Sequence, residues 1–190
     1  MTVTQAANSS KARKVGVVMG RFCPPHRGHD FLIEAARRGC DELFVIVIGN
    51  SRDEAYLPLV RRARWLADRF ESPSAHVVPV ASDLPDSEGD PAIIRAWCDL
   101  IRYSVGGQAI DRFFTGEART YGDWTAAGLG AEHVCVDPAR AHVPISATVI
   151  RADPLAAAQF LDPPVLAYFR AQAAKRRRES ATASRGRPAK

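Results

Sequence analysis

Lysine is missing from the middle of this chain. None occurs between Lys14 and Lys175, so a glycine-rich phosphate loop ending in Gly-Lys-Ser/Thr cannot be built there, and kinases of that architecture are excluded. Cysteine is sparse. Cys23, Cys40, Cys98 and Cys135 stand far apart, no two at metal-finger or redox spacing, and they read as reduced thiols. Long apolar runs are absent too. The longest, Leu43-Phe44-Val45-Ile46-Val47-Ile48, has the length of a buried strand and is too short to span a bilayer. The first fourteen residues are polar and carry no apolar signal core. The expectation is a cytoplasmic protein without a membrane anchor.

Positive charge is present but unevenly placed. The net charge is +5, yet residues 15–170 hold 16 Arg against 20 Asp and Glu. Residues 171–190 hold seven Lys/Arg against one Glu, and residues 1–14 add three more cations. The body is mildly acidic and the ends are basic. A length of 190 residues suits one domain with a sizeable core. Composition divides the chain into a disordered N-terminus over 1–13, a domain over 14–172, and a basic, mostly disordered tail over 173–190.

Within the domain, apolar strands alternate with amphipathic helices. Strands are expected at 15–19, 43–49, 76–80, 112–115 and 133–136, with Pro79 marking the third as an edge or a strand end. Helices are expected at 28–38, 59–70 and 91–104, with a short one between the last two strands. Further helical pieces follow at 146–152, 154–160 and 163 to about 178. The pattern predicts an α/β fold, a doubly wound parallel sheet of five strands covered on both faces, with C-terminal helices.

Two segments carry chemistry. The first, Gly20-Arg21-Phe22-Cys23-Pro24-Pro25-His26-Arg27-Gly28-His29, leaves the first strand and enters the first helix. In an open parallel sheet, ligands bind beyond the carboxyl ends of the strands. Gly20 permits close backbone approach, and the two prolines stiffen the turn. Gly28 and His29 open a helix, where free N–H groups favour an anion. His26 and His29, three residues apart, can both address one phosphate and donate hydrogen bonds to oxygens whose charge grows in phosphoryl transfer. Zinc is a poor alternative, because helical metal pairs prefer i, i+4 spacing and a third ligand is not evident.

The second segment is Ile145-Ser146-Ala147-Thr148-Val149-Ile150-Arg151. Ser146 is a natural N-cap. Two hydroxyls and an arginine at a new helix start make a second anion site, with the Arg151 fork suited to phosphate oxygens.

Together, G-x-F-x-P-x-H-x-G-H and I-S-x-T-x-I-R resemble the nucleotidylyltransferase superfamily. More narrowly, the chain resembles the NadR-type nicotinamide-mononucleotide (NMN) adenylyltransferases. Asn50-Ser51-Arg52-Asp53, Arg62-Ala63-Arg64-Trp65-Leu66, Ala96-Trp97 and Val134-Cys135-Val136-Asp137-Pro138 support it, over roughly residues 14–172. The resemblance implies a Rossmann-like nucleotidylyltransferase fold and transfer of AMP from ATP to NMN, giving NAD and pyrophosphate. It implies that His26, His29 and Arg151 are catalytic, with His26 and His29 on the ATP phosphates. Gly20, Arg21, Phe22, Gly28, Ser146 and Thr148 would bind ATP. Asn50, Arg52 and Trp97 would bind the acceptor, Trp97 by stacking on nicotinamide. Mg²⁺ would be held through ATP phosphates, with no protein side chain as a metal ligand.

The chain departs from the family pattern in one motif. Thr115-Gly116-Glu117 stands where such relatives often read Thr-Ser-Glu, so one hydroxyl contact is missing. Other readings are transfer to a different phosphorylated acceptor such as pantetheine phosphate, or a non-catalytic nucleotide sensor. Self-association into a homo-oligomer is compatible with the sequence. At the C-terminus, Arg185-Gly186-Arg187-Pro188 is similar to a minor-groove hook, so the tail is a candidate for nucleic-acid contact.

Overall fold

The computed structural model describes residues 13–86, 89–116 and 120–185. The expected disorder of the N-terminus therefore falls mainly outside the described residues, as does most of the hook-like segment. Five strands form one parallel sheet: β1 (Val15–Gly20), β2 (Glu42–Gly49), β3 (Ala75–Ala81), β4 (Arg112–Thr115) and β5 (Glu132–Cys135). Their order is β3-β2-β1-β4-β5. Helices α1 (Arg27–Gly39), α2 (Ser51–Tyr56), α3 (Leu59–Phe70), α4 (Pro91–Ser104), α5 (Thr120–Leu129), α6 (Ala147–Ala152) and α7 (Pro163–Arg185) complete the domain. This is the doubly wound fold the alternation predicts.

The central strands β1, β2 and β4 are largely buried on both faces, as parallel sheets require. Side chains alternate along each strand. Val18, Val45, Val47 and Phe114 point to one face and pack with Leu32, Ile33, Leu66 and Phe70 of α1 and α3. Val17, Phe44, Ile46 and Phe113 point to the other and pack with Ile101 and Ala126 of α4 and α5. β3 lies beside β2 at one end of the strand order, the edge position that suits Pro79. Gly49 is required by packing, since a Cβ there would meet the Leu59 side chain at 2.8 Å and push α3 off the sheet.

A third core joins Cys23, Leu57, Ile145, Ile150, Leu161, Val165 and Phe169. It fastens the C-terminal helices beneath the turn that follows β1. The chain order reverses between β1 and β4, which opens a crevice at the carboxyl edge, the usual ligand position of such sheets.

Three expectations need correction. The piece 154–160 is not one helix: the Asp153 carboxylate accepts from the N–H groups of Leu155 and Ala156 at 3.1 and 3.0 Å, a local turn that competes with helix, and only Ala158–Phe160 forms a 3₁₀ turn. Asn50-Ser51-Arg52-Asp53 was given no helix, but it enters α2, capped by the Asn50 side chain. Helix α7 continues to Arg185 rather than ending near 178, so the boundary at 172/173 lies inside a helix and 179–185 is helical rather than disordered. Alanine and arginine favour helix, and Lys175 lies 3.9 Å from Glu179 one turn on. No helix among the described residues is long and apolar enough to cross a membrane.

Candidate active site

The turn after β1 is shaped by its own residues. Phe22 adopts φ of 46° and the Cys23–Pro24 peptide is cis. The Phe22 ring is buried and meets the His29 ring edge-on, with centroids 4.8 Å apart. His26 then caps α1. Its backbone is extended and its Nδ1 accepts the Gly28 N–H at 3.1 Å. An Nδ1 that accepts carries no proton, so the neutral ring holds its proton on Nε2 and offers a donor there.

His26 is 5% exposed. Burial, and secondarily the charge of Arg140, lowers its pKa to about 4. The His29 ring stacks on it with centroids 3.7 Å apart and planes 25° apart. His29 is also held well below the ordinary histidine value, first by burial, then by the charges of His26, Arg69 and Arg140. Its Nδ1 is buried without a protein partner. Both imidazoles are therefore neutral near pH 7. They can donate hydrogen bonds, but they do not add charge.

The second segment arrives from 128 residues away. Arg151 Nη1 donates to the Cys23 carbonyl at 2.9 Å, and Nη2 donates to Thr148 Oγ1 at 3.0 Å. Ser146 caps α6, its Oγ accepting the Val149 N–H at 3.3 Å. Ile145 lies over Gly28, where an added Cβ would meet Ile145 Cγ2 at 3.6 Å. The structure thus brings His26, His29, Gly28, Ser146, Thr148 and Arg151 together around the start of α1. The guanidinium of Arg151 keeps three of its five N–H donors for a ligand.

Gly20 ends β1 at the carboxyl edge. Arg21 is exposed and lies 3.7 Å from Asp53 Oδ1, while its carbonyl accepts from Arg62. The proposed acceptor residues are less closely joined to this group. The Asn50 side chain is occupied as the α2 cap, accepting the Asp53 N–H at 2.7 Å. Arg52 is exposed on α2. Trp97 packs on the α4/α5 core with Met19 and Val80, and its Nε1 donates to the Pro85 carbonyl at 2.9 Å.

Three features escaped sequence reasoning. Arg62 is fully buried, and its guanidinium donates to the carbonyls of Leu57 (2.9 Å), Ile48 (2.8 Å) and Arg21. It gathers the ends of β1, β2 and α2 at the sheet edge. The available signal was its place on the apolar stripe of α3 with Leu66 and Phe70. Arg140, in the loop after β5, has φ of 52° and its charge reaches both histidines. Its loop is pinned to α1 by His142 stacking on Phe31 at 4.8 Å. Thr115, 2% exposed at the end of β4, shares a hydrogen bond of 2.8 Å with His133 Nε2, and His133 Nδ1 lies 2.6 Å from Asp123 Oδ1. Gly116 follows Thr115 at this edge, whereas Glu117 lies outside the described residues.

No protein-family model matches the chain. Over 169 residues it is 30% identical to the trifunctional NAD biosynthesis/regulator protein NadR of Escherichia coli K12, covering 83% of this chain and 41% of that protein. The chain therefore spans about two fifths of the length of this curated relative. Among solved structures it resembles a NadR protein in complex with NAD and AMP-PNP, with a TM-score of 0.57 and 23% identity over 78% of this chain and 44% of that one. It also resembles a bifunctional NMN adenylyltransferase/ADP ribose pyrophosphatase from Francisella tularensis, with a TM-score of 0.61 and 17% identity over 83% of this chain and 49% of that one.

Proposed function

Given that the chain is homologous to a segment of the NadR proteins and shares the fold of NMN adenylyltransferases, we propose that it transfers AMP from ATP to NMN, giving NAD and pyrophosphate. The observation that carries this reading is the bond from Arg151 to the Cys23 carbonyl. It supports the reading by tying the guanidinium of Arg151 and the capped start of α6 to the turn that leads into the two neutral imidazoles. Such a set of donors suits a polyphosphate.

In the reaction, a phosphate oxygen of NMN attacks the α-phosphorus of ATP. A new P–O bond forms and the bond to the β-phosphate oxygen breaks, so pyrophosphate leaves with the electron pair. The attacking phosphate is already ionised, so no general base is needed. Catalysis is positioning together with charge stabilisation. His26 Nε2–H and the His29 ring donate to α-phosphate oxygens. Ser146, Thr148 and the free N–H groups of Arg151 hold the β- and γ-phosphates, and Gly20, Arg21, Phe22 and Gly28 line the nucleotide. Asn50, Arg52 and the ring face of Trp97 are assigned to the acceptor.

A divalent cation would offset charge on the phosphates. The Francisella tularensis enzyme has been solved with AMP and a manganese ion. Among the described residues, no group of three His, Cys, Asp or Glu converges to hold a metal. In this reading the ion is Mg²⁺ and is carried by the phosphates of ATP.

The test is pyrophosphate release with ATP, a divalent cation and a panel of phosphorylated acceptors. NAD formed from NMN is the expected result. Turnover only with nicotinate mononucleotide or pantetheine phosphate reassigns the acceptor. Nucleotide binding with no turnover on any acceptor removes the enzymatic reading.

A further inference from the structure

Helix α7 begins in the third core, through Val165 and Phe169, and then loses its apolar side. From Arg170 to Arg185 no apolar side chain larger than alanine occurs, and residues 174–182 are exposed. A solvent-facing helix of this kind has no tertiary reason for its composition. Its cations have an order, however. Arg170, Arg177 and Arg178 fall on one face, seven to eight residues apart. At 1.5 Å per residue the stripe from Arg170 to Arg177 is about 10 Å long. Ala173 and Ala174 lie between, and with Leu155 these residues line an open groove of about 390 Å³. Small side chains leave the helix surface approachable between the guanidinium forks.

We propose that this face of α7 binds the phosphate backbone of nucleic acid without reading its sequence. Charge complementarity selects the partner. The acidic body makes the basic stripe a local feature of α7, and five of the six cations from 170 to 185 are arginine, whose planar fork pairs with phosphate oxygens. An anionic membrane is disfavoured, because a membrane-lying helix needs Leu, Phe or Trp to insert and α7 from Arg170 onward offers only alanine. A folded acidic protein is disfavoured because the groove lacks an aromatic anchor.

The experiment is fluorescence anisotropy of a short labelled duplex of arbitrary sequence with the full chain, titrated between about 50 and about 200 mM salt. Binding should weaken steeply with salt, with a slope of about −3 for three phosphate contacts. The R170A/R177A/R178A variant should bind about tenfold more weakly or worse at low salt, with a slope flatter by about 2–3. The corresponding triple Lys variant should keep most of the slope. Circular dichroism and nucleotide turnover of both variants should match the parent, since none of these residues touches the candidate active site. No duplex binding, equal binding by parent and alanine variant, or binding only to vesicles containing phosphatidylserine would each overturn the proposal.

Discussion

Two regions of this molecule are proposed to meet phosphate, and they are built in opposite ways. At the start of α1 the donors are few and held in place: two neutral imidazoles and one guanidinium. His26 is capped onto its own helix, His29 is stacked upon it, and Arg151 is tied to a backbone carbonyl before any ligand arrives. On α7 the donors are many, exposed and charged, each on a flexible stem. A site of the first kind selects by geometry, because its donors are already oriented and little entropy is lost on binding. A surface of the second kind attracts through counterion release and tolerates many positions of its partner. The first suits chemistry on one phosphorus atom. The second suits retention on a polymer.

The comparison breaks most readily at His29. His29→Ala should lower turnover by ~10²-fold or more, the scale of one lost transition-state donor, with the fold intact by circular dichroism. An unchanged rate would take His29 out of the reaction. Acidification tests the neutral state of the pair. His26 has a folded pKa of about 4 against 6.5 for the free side chain. Between those values the unfolded chain binds the proton and the folded chain does not, so stability falls as pH drops through that window. The full effect is about 3 kcal/mol from His26 alone. A melting temperature that falls between pH 7 and pH 4.5, and falls less in His26→Asn, is the expected result. An identical pH dependence in the two proteins would reject burial of a neutral His26 as its source.

Arg151→Lys sharpens the contrast between a placed guanidinium and a mere positive charge. Lysine cannot bond the Cys23 carbonyl, the Thr148 hydroxyl and a phosphate with one planar group. A loss of roughly tenfold in kcat/KM is expected, the scale of one charge-assisted hydrogen bond. Parent-like kinetics would reduce Arg151 to a charge. The smallest effect belongs to the far end of α7. Deleting residues 179–190 should leave turnover unchanged, because residues 179–182 are exposed at the far end of α7. A large drop would place the helix end in the active site.

Much of this was legible before the structure. The strands were readable because most are short runs rich in β-branched or aromatic residues, and the α6 cap because Ser146 acts on an N–H group three residues away. The failures share a cause. The capping role of Asn50 was missed because a side chain that caps a helix looks the same in sequence as one that binds. The burial of Arg62 went unread because nothing local reveals that three carbonyls converge on it. Thr115, His133 and Asp123 lie on separate elements, and their hydrogen bonds exist only once β4, β5 and α5 are packed.

Sequence by itself determined what depends on near neighbours: which segments are apolar, where helices start, and that two imidazoles share the first turn of one. Tertiary structure decided what depends on burial and distance. It sank the imidazoles far enough to make them neutral, and it carried Arg151 across 128 residues to the Cys23 carbonyl. The reason is physical: helix caps and strand alternation are set by short-range sterics and hydrogen bonds, whereas desolvation and long-range bonding are properties of the packed core and of the order in which the strands meet.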